Sequence, residues 1–240
     1  RINGAMISET FVVDFVAANK SFFETHSLSF FEMSVGMAFA YFAQEQVDIA
    51  VVEVGLGGRL DSTNILTPEV SVITNIGLDH TQFLGTTLEA IAGEKAGIIK
   101  PNTPIVIGET QSEIEGVFRA KATKECAPIY FADQLIDSTY PTDLKGVYQI
   151  HNVRTVLQTI AVLNAGAFSI PLEPVQKGLL KVIENTGLRG RWEILDTAPK
   201  IICDTAHNRE GLSLVFKQLQ TENFQRLHLL LGMVNDKDIA

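Results

Sequence analysis

Six short apolar runs set the limits on what this chain can become: "DIAVVEV" (Asp48 to Val54), "VSVITNI" (Val70 to Ile76), "PIVIGE" (Pro104 to Glu109), "PIYFA" (Pro128 to Ala132), "KIICD" (Lys200 to Asp204) and "LHLLLGM" (Leu227 to Met233). They are rich in β-branched residues and continuously apolar rather than alternating, and helical patterns lie between most of them. That combination predicts parallel strands covered on both faces, an α/β fold with a mostly parallel, doubly wound sheet. A glycine- and arginine-containing link, "ENTGLRGR" (Glu184 to Arg191), leads into a fresh strand, "RWEIL". It divides the chain into residues 1–186 and a second α/β domain opening over 187–240.

At 240 residues, 46% hydrophobic and 20% charged, the chain has an ordinary globular composition. Its net charge of -9 disfavours nucleic acid and anionic lipid as partners. Cys126 and Cys203 have no metal-ligand spacing and read as two reduced thiols, which fits the cytoplasm. The most apolar stretch, "FFEMSVGMAFAYFA" (Phe30 to Ala43), is too short to span a bilayer and carries Glu32, so it predicts a buried helix. No signal peptide is visible. The chain opens on Arg1 and stops after "GMVNDKDIA", which reads as a piece of a longer protein.

In doubly wound sheets ligands bind beyond the carboxyl ends of the strands. The segments following three of the apolar runs therefore define a candidate site. In "VVEVGLGGRLDSTN" (Val51 to Asn64), the glycines fit neither the dinucleotide nor the P-loop spacing. Glu53 sits within an apolar strand, where a carboxylate needs a partner or a metal; it either turns out of the sheet, pairs with Arg59, or serves a function. In "TNIGLDH" (Thr74 to His80), Asp79 and His80 read as a turn with an Asx-type hydrogen bond and a solvent-facing His, or else His80 and Glu53, at adjacent strand ends, offer a site for a hard cation such as Mg²⁺.

In "TTLEAIAGEKAGIIK", a capping box from Thr86 to Glu89 starts a helix. Leu88, Ile91, Ala92 and Lys95 then share one stripe, so Lys95 either snorkels from its edge or is neutral enough to be carbamylated by CO₂. In "DTAHNREG", Asp204 and His207 precede a helix start near Asn208; they can bind a ribose or assist chemistry, while Thr205 or Asn208 can be caps.

Taken in order with "SFFEMSVGMAF", "LKGVYQIHN" and "RGRWE", these segments resemble the folylpolyglutamate synthase / dihydrofolate synthase family of the Mur ligase superfamily, over nearly the whole chain. The resemblance implies an ATP-dependent, ADP-forming ligase that adds L-glutamate to dihydropteroate or to a reduced folate through an acyl phosphate. It implies Glu53 and His80 as Mg²⁺ ligands, carbamylated Lys95 and His207 as catalytic groups, and Asn152, Arg191 and Asp204 as ATP contacts. Ser29, Phe30, Phe31, Glu32, Leu60, Asp61 and Ser62 match positions that touch the pterin.

Residues 1–186 would then be the central ATP-binding domain, lacking a P-loop expected before Arg1, and 187–240 the start of a truncated glutamate ligase domain. A cytoplasmic monomer is implied, with the 240 residues alone catalytically silent. "DTAHNRE" departs from the commoner D-G-A-H-N-P and "RGR" from P-G-R, with Asp204, His207, Asn208 and Arg191 kept, and the stretch Asp133 to Lys145 is shorter than usual. Two other readings are open. One is a Mur-type ligase acting on a UDP-muramyl peptide; the other is a metal-dependent hydrolase built on Asp79, His80, Asp204 and His207.

Overall fold

Strands β1 (Ser71–Ile73), β2 (Ile105–Ile107) and β3 (Ile129–Phe131) form a parallel sheet in the order β1-β2-β3, as their continuous apolarity requires. The structure, a computed structural model, describes residues 1–232. Helices run in chain order as α1 (Glu9–His26), α2 (Phe30–Gln44), α3 (Thr81–Leu84), α4 (Leu88–Lys95), α5 (Glu115–Lys124), α6 (Ala132–Leu135), α7 (Gln149–Ala165), α8 (Leu172–Leu179), α9 (Val182–Thr186) and α10 (Arg209–Leu219).

Side chains alternate across a strand, so the sheet has two different faces to bury. Ile73, Ile105, Ile107 and Phe131 point to one face and join Ile91 and Ala92 of α4 with Phe118 and Ala122 of α5. Val72, Val106 and Tyr130 point to the other and pack with Ala132 of α6 and Val162 of α7. β2 lies between the two clusters, and Ile105, Val106 and Ile107 are 0%, 0% and 1% exposed. Each such side chain contributes roughly 1.5–3 kcal/mol by leaving water.

The run at 200–204 does not join this sheet. β4 (Glu193–Thr197) and β5 (Lys200–Cys203) pair antiparallel as a separate two-stranded sheet. The reason is the length of the connection, since a parallel crossover needs a dozen or more residues and only Ala198 and Pro199 separate the two strands.

Other expectations need correction. Residues 48–54 form no strand, and Val51 is 96% exposed. An apolar run becomes a strand only when a neighbour offers a hydrogen-bond ladder, and among the described residues none does so here. Residues 227–232 likewise carry no strand, and Met233 lies outside the described residues. α2 is not buried: it packs on α1 through Phe11 and Tyr41, whose rings meet edge-on at 4.9 Å, while Phe30 stays 83% exposed.

The cap of α4 falls one residue later than expected. Thr87, in extended backbone, accepts a bond from the Ala90 amide at 3.2 Å. A complete capping box does occur, at Ser29 and Glu32 at the start of α2.

Candidate active site

The glycine segment after Glu53 is organised by Asp61. Its carboxylate accepts bonds from the amides of Gly55 (3.0 Å), Leu56 (2.9 Å) and Thr63 (2.9 Å) and from the Thr63 hydroxyl. Burial pushes the Asp61 carboxyl up, but these four bonds together hold it below its usual range. Arg59 does not pair with Glu53; its guanidinium reaches Glu94 at 3.0 Å and 3.2 Å, and its amide donates to the Glu94 carbonyl at 2.9 Å. A Cβ on Gly58 would lie 3.0 Å from the Lys95 carbonyl, and one on Gly97 would strike the Arg59 backbone. The glycines therefore let residues 57–59 lie directly on the end of α4 that carries Lys95.

Glu53 is exposed and has no hydrogen bond or ion pair with any described residue. The His80 imidazole is equally unpartnered. Its backbone is left-handed (φ 50°) at the start of α3, and its amide donates to Asp79 Oδ1 at 2.8 Å. Lys95 closes α4, half-buried beyond the buried Ile91 and Ala92, and its ammonium too has no partner among the described residues.

Among the described residues, no three or more His, Cys, Asp or Glu side chains come together as a metal centre. The hydrolase reading therefore lacks its cluster; Asp79 Oδ2 instead lies 3.4 Å from His207 Nε2 and 3.4 Å from Asn208 Nδ2.

Asp204, at the end of β5, is the most heavily bonded of the candidate residues in this part of the chain. Its Oδ2 accepts from the Trp192 amide (2.7 Å) and the Tyr148 hydroxyl (2.8 Å), and its Oδ1 from the Ala206 amide (2.9 Å). Burial, and then the bond to Asp204, push the Tyr148 phenol far above its ordinary value, so it stays a donor. Arg191 donates to the Gly190 carbonyl (3.2 Å) and to the Thr205 hydroxyl. Gly190 has a positive φ of 70° and faces the Thr205 side chain where a Cβ would collide.

Tyr148, Arg191, Asp204, His207, Asn208 and Leu214 line a cleft of about 180 Å³. Asn152 is not on its wall; it lies exposed one turn along α7 and donates to Gln149 Oε1 at 2.9 Å. Asn208 caps α10 by accepting from the Gly211 amide at 2.9 Å.

The other resemblance-assigned positions lie at the start of α2 and after the glycines. The Ser29 hydroxyl and Glu32 carboxylate are engaged with each other in the capping box, which draws the Glu32 carboxyl below its usual range. The Phe31 ring covers Gly55, where a Cβ would overlap it. Phe30 and Leu60 stand 83% and 79% exposed, so this face presents apolar groups to solvent. Ser62 opens a 3-10 turn, Ser62–Ile65, capped by Asp61.

Sequence reasoning missed Tyr148 and the Trp192 amide as the groups that fix Asp204. The signal was present in "LKGVYQIHN" and "RGRWE", but only the fold shows that the two segments converge. No helix among the described residues is long and apolar enough to cross a membrane.

Residues 5–169 match the Mur ligase middle domain. The chain is 34% identical over 252 residues to the dihydrofolate synthase/folylpolyglutamate synthase of Buchnera aphidicola subsp. Schizaphis graminum, covering 100% of this chain and 59% of that protein. It is 34% identical over 236 residues to the folylpolyglutamate synthase of Lacticaseibacillus casei, covering 88% of this chain and 54% of that one. The chain thus spans little more than half the length of these relatives. Among solved structures it resembles E. coli FolC in complex with DHPP and ADP, with a TM-score of 0.78 and 28% identity over 94% of this chain and 56% of the other. With the middle-domain match running through more than half of the chain and a parallel α/β sheet to carry it, the chain belongs to the Mur ligase family, and its relatives are dihydrofolate and folylpolyglutamate synthases.

Proposed function

We propose that this protein is an ATP-dependent, ADP-forming ligase that joins the amine of L-glutamate to a carboxylate of dihydropteroate or of a reduced folate. The observation that carries this reading is the convergence of Asp204, Tyr148 and Arg191 on one cleft, in a chain whose structural relative was captured with DHPP and ADP. Residues 1–186 serve as the central nucleotide-binding domain and 187–240 open the glutamate ligase domain. The enzyme works as a cytoplasmic monomer on small molecules.

In this reading Asp204 accepts the ribose hydroxyls of ATP, and Arg191 and Asn152 contact the nucleotide alongside it. Tyr148 and the Trp192 amide hold the Asp204 carboxylate in place, so its orientation does not have to be established when ATP arrives. The exposed Phe30 and Leu60, with the Phe31 ring of α2 against Gly55, offer flat apolar contact to a pterin ring. His207 faces the incoming glutamate.

Glu53 and His80, both without partners among the described residues, suit a Mg²⁺ that keeps most of its ligands from phosphate and water. When bound, the ion offsets charge on the transferring phosphoryl group. Lys95 fits a carbamate: its amine nitrogen adds to CO₂, a new N–C bond forms as a C–O π bond opens to the carboxylate, and the nitrogen's displaced proton leaves to solvent. The resulting anion would lie where residues 57–59 pack on α4.

The reaction balances simply. A substrate carboxylate oxygen attacks the γ-phosphorus, the bond to ADP breaks, and the glutamate amine then displaces phosphate from the acyl carbon with loss of a proton. Glutamate-dependent ADP release by the full-length protein, assayed in parallel with dihydropteroate, tetrahydrofolate and a muramyl nucleotide, tests the reading. Turnover with a pterin is expected; turnover with the muramyl substrate alone, or none requiring ATP, overturns it.

A further inference from the structure

The ladder between β1 and β2 does not stop where the strands end. Past Ile107, the Gly108 amide donates to the Ile73 carbonyl at 2.8 Å and the Glu109 amide to the Thr74 carbonyl at 3.0 Å. Two residues on, a side chain takes the place of neighbouring backbone. Gln111 Oε1 accepts from the Ile76 amide at 2.8 Å, and Gln111 Nε2 donates to the Ile76 carbonyl at 2.9 Å. A primary amide carries an acceptor and a donor side by side, so it serves both backbone groups of one residue at once.

Gln111 is itself fixed. Its carbonyl accepts from the amides of Ile114 (3.0 Å) and Glu115 (2.9 Å) at the start of α5. Ile76, 4% exposed, is the last buried residue before the turn of residues 77–80. Unpaired backbone groups at a buried residue are costly, which gives the clamp its hold.

Across the turn, Asp79 reaches α10. The Asp79 amide donates to the Gly77 carbonyl at 3.0 Å and closes the turn, and Asp79 Oδ2 lies 3.4 Å from both His207 Nε2 and Asn208 Nδ2. On the other side of its ring, His207 Nδ1 is 3.1 Å from the Thr205 carbonyl. Contacts of 3.4 Å are at the long end of the bonding range and weaken with any retreat of the turn. Only three residues separate Asp79 from the clamped Ile76.

We propose that Gln111 is a positioning residue: by holding Ile76 it sets the turn from which Asp79 orients His207 and Asn208 at the start of α10. The inference rests on the ligase reading for what His207 then meets, the incoming glutamate. Asp204 is held instead by Tyr148 and the amides of Trp192 and Ala206, none of which belongs to the turn. The two sides of the cleft are thus supported separately, and a fault at Gln111 reaches the His207 side.

The test is steady-state kinetics of the full-length protein with ATP, L-glutamate and a pterin acceptor, joined to NMR of its histidine rings. Gln111→Met keeps the length of the side chain and removes both bonds. It should raise the KM for glutamate about tenfold and leave the KM for ATP within about twofold. The ring signals of His207 should shift while those of His26, on α1, stay in place. Asp79→Asn should raise the KM for glutamate as well. In the double variant Gln111→Met should add less than about twofold, because its effect passes through Asp79.

Should Gln111→Met fail to fold, Gln111→Glu keeps the acceptor for the Ile76 amide but sets a carboxylate against the Ile76 carbonyl, and is expected to move the same KM and the same ring. Unmoved His207 signals or an unaltered KM for glutamate in a folded Gln111 variant overturns the proposal. So does a KM for ATP that rises in step with that for glutamate, or effects of the two substitutions that multiply. Wild-type turnover with either of these results leaves the ligase reading standing. His207 signals that follow Gln111 in a protein without glutamate-dependent ADP release do the reverse.

Discussion

Gly108 closes β2 and is a sharp test of how the sheet positions the site. A Cβ there would lie 2.5 Å from the Thr155 hydroxyl of α7 and 2.5 Å from the Thr74 carbonyl. One contact is a side chain; the other is backbone that already serves β1. The Gly108 amide also donates to the Ile73 carbonyl at 2.8 Å, so the residue cannot simply back away. Gly108→Ala must push α7 off the sheet or break that bond, and overpacking of this kind costs roughly 1–3 kcal/mol, here toward the upper end.

Urea unfolding would show this cost as a lower midpoint at unchanged slope. Thr155→Ala alone should cost about 1 kcal/mol by removing the bond to the His151 carbonyl, made at 2.9 Å. Added to Gly108→Ala, the same change should cost less, because one of the two clashes disappears; a favourable coupling of about 1 kcal/mol is expected. Gly108→Ala within about 0.5 kcal/mol of wild type would refute the packing argument, and additive single and double variants would remove Thr155 from it.

Three further outcomes follow from the site. Tyr148→Phe should raise the KM for ATP more than it lowers kcat, because it loosens Asp204 without touching the reacting atoms; an equal fall in kcat at unchanged KM would contradict that role. Asp61→Asn should flatten the acid limb of stability. The Asp61 carboxyl is depressed in the folded state, so its contribution is present above the ordinary carboxylate value and disappears as pH falls through the lower folded value. Thermal melts between about pH 2 and 5 should therefore differ between variant and wild type, and parallel curves would count against it. Lys95→Ala should depress turnover and recover it with added small carboxylates, whereas wild-type rates in that variant would take Lys95 out of the reaction.

The parallel sheet was legible because each of its strands is covered on both faces, and burial on both faces writes a continuous apolar run. The same rule misread residues 48–54, since apolarity reports that a segment seeks cover and not that a ladder partner lies beside it. It also misread β5, where the short link through Ala198 and Pro199 decides the pairing. Lys95 could be placed from its stripe alone because helical spacing is local. Tyr148 could not, because it acts on Asp204 across 56 positions of sequence, a relation that no periodicity encodes.

The glycine segment also has a mechanical meaning. Phe31 presses on Gly55, Asp61 ties Gly55 and Leu56 to the following 3-10 turn, and Gly58 rests on the carbonyls of Glu94 and Lys95. Gly55 and Gly58 themselves put no side chain between these layers to absorb a displacement. A ligand that lifts the first turn of α2 by a fraction of an ångström therefore finds no slack before the end of α4, and the position of Lys95 becomes a readout of what occupies the face around Phe31.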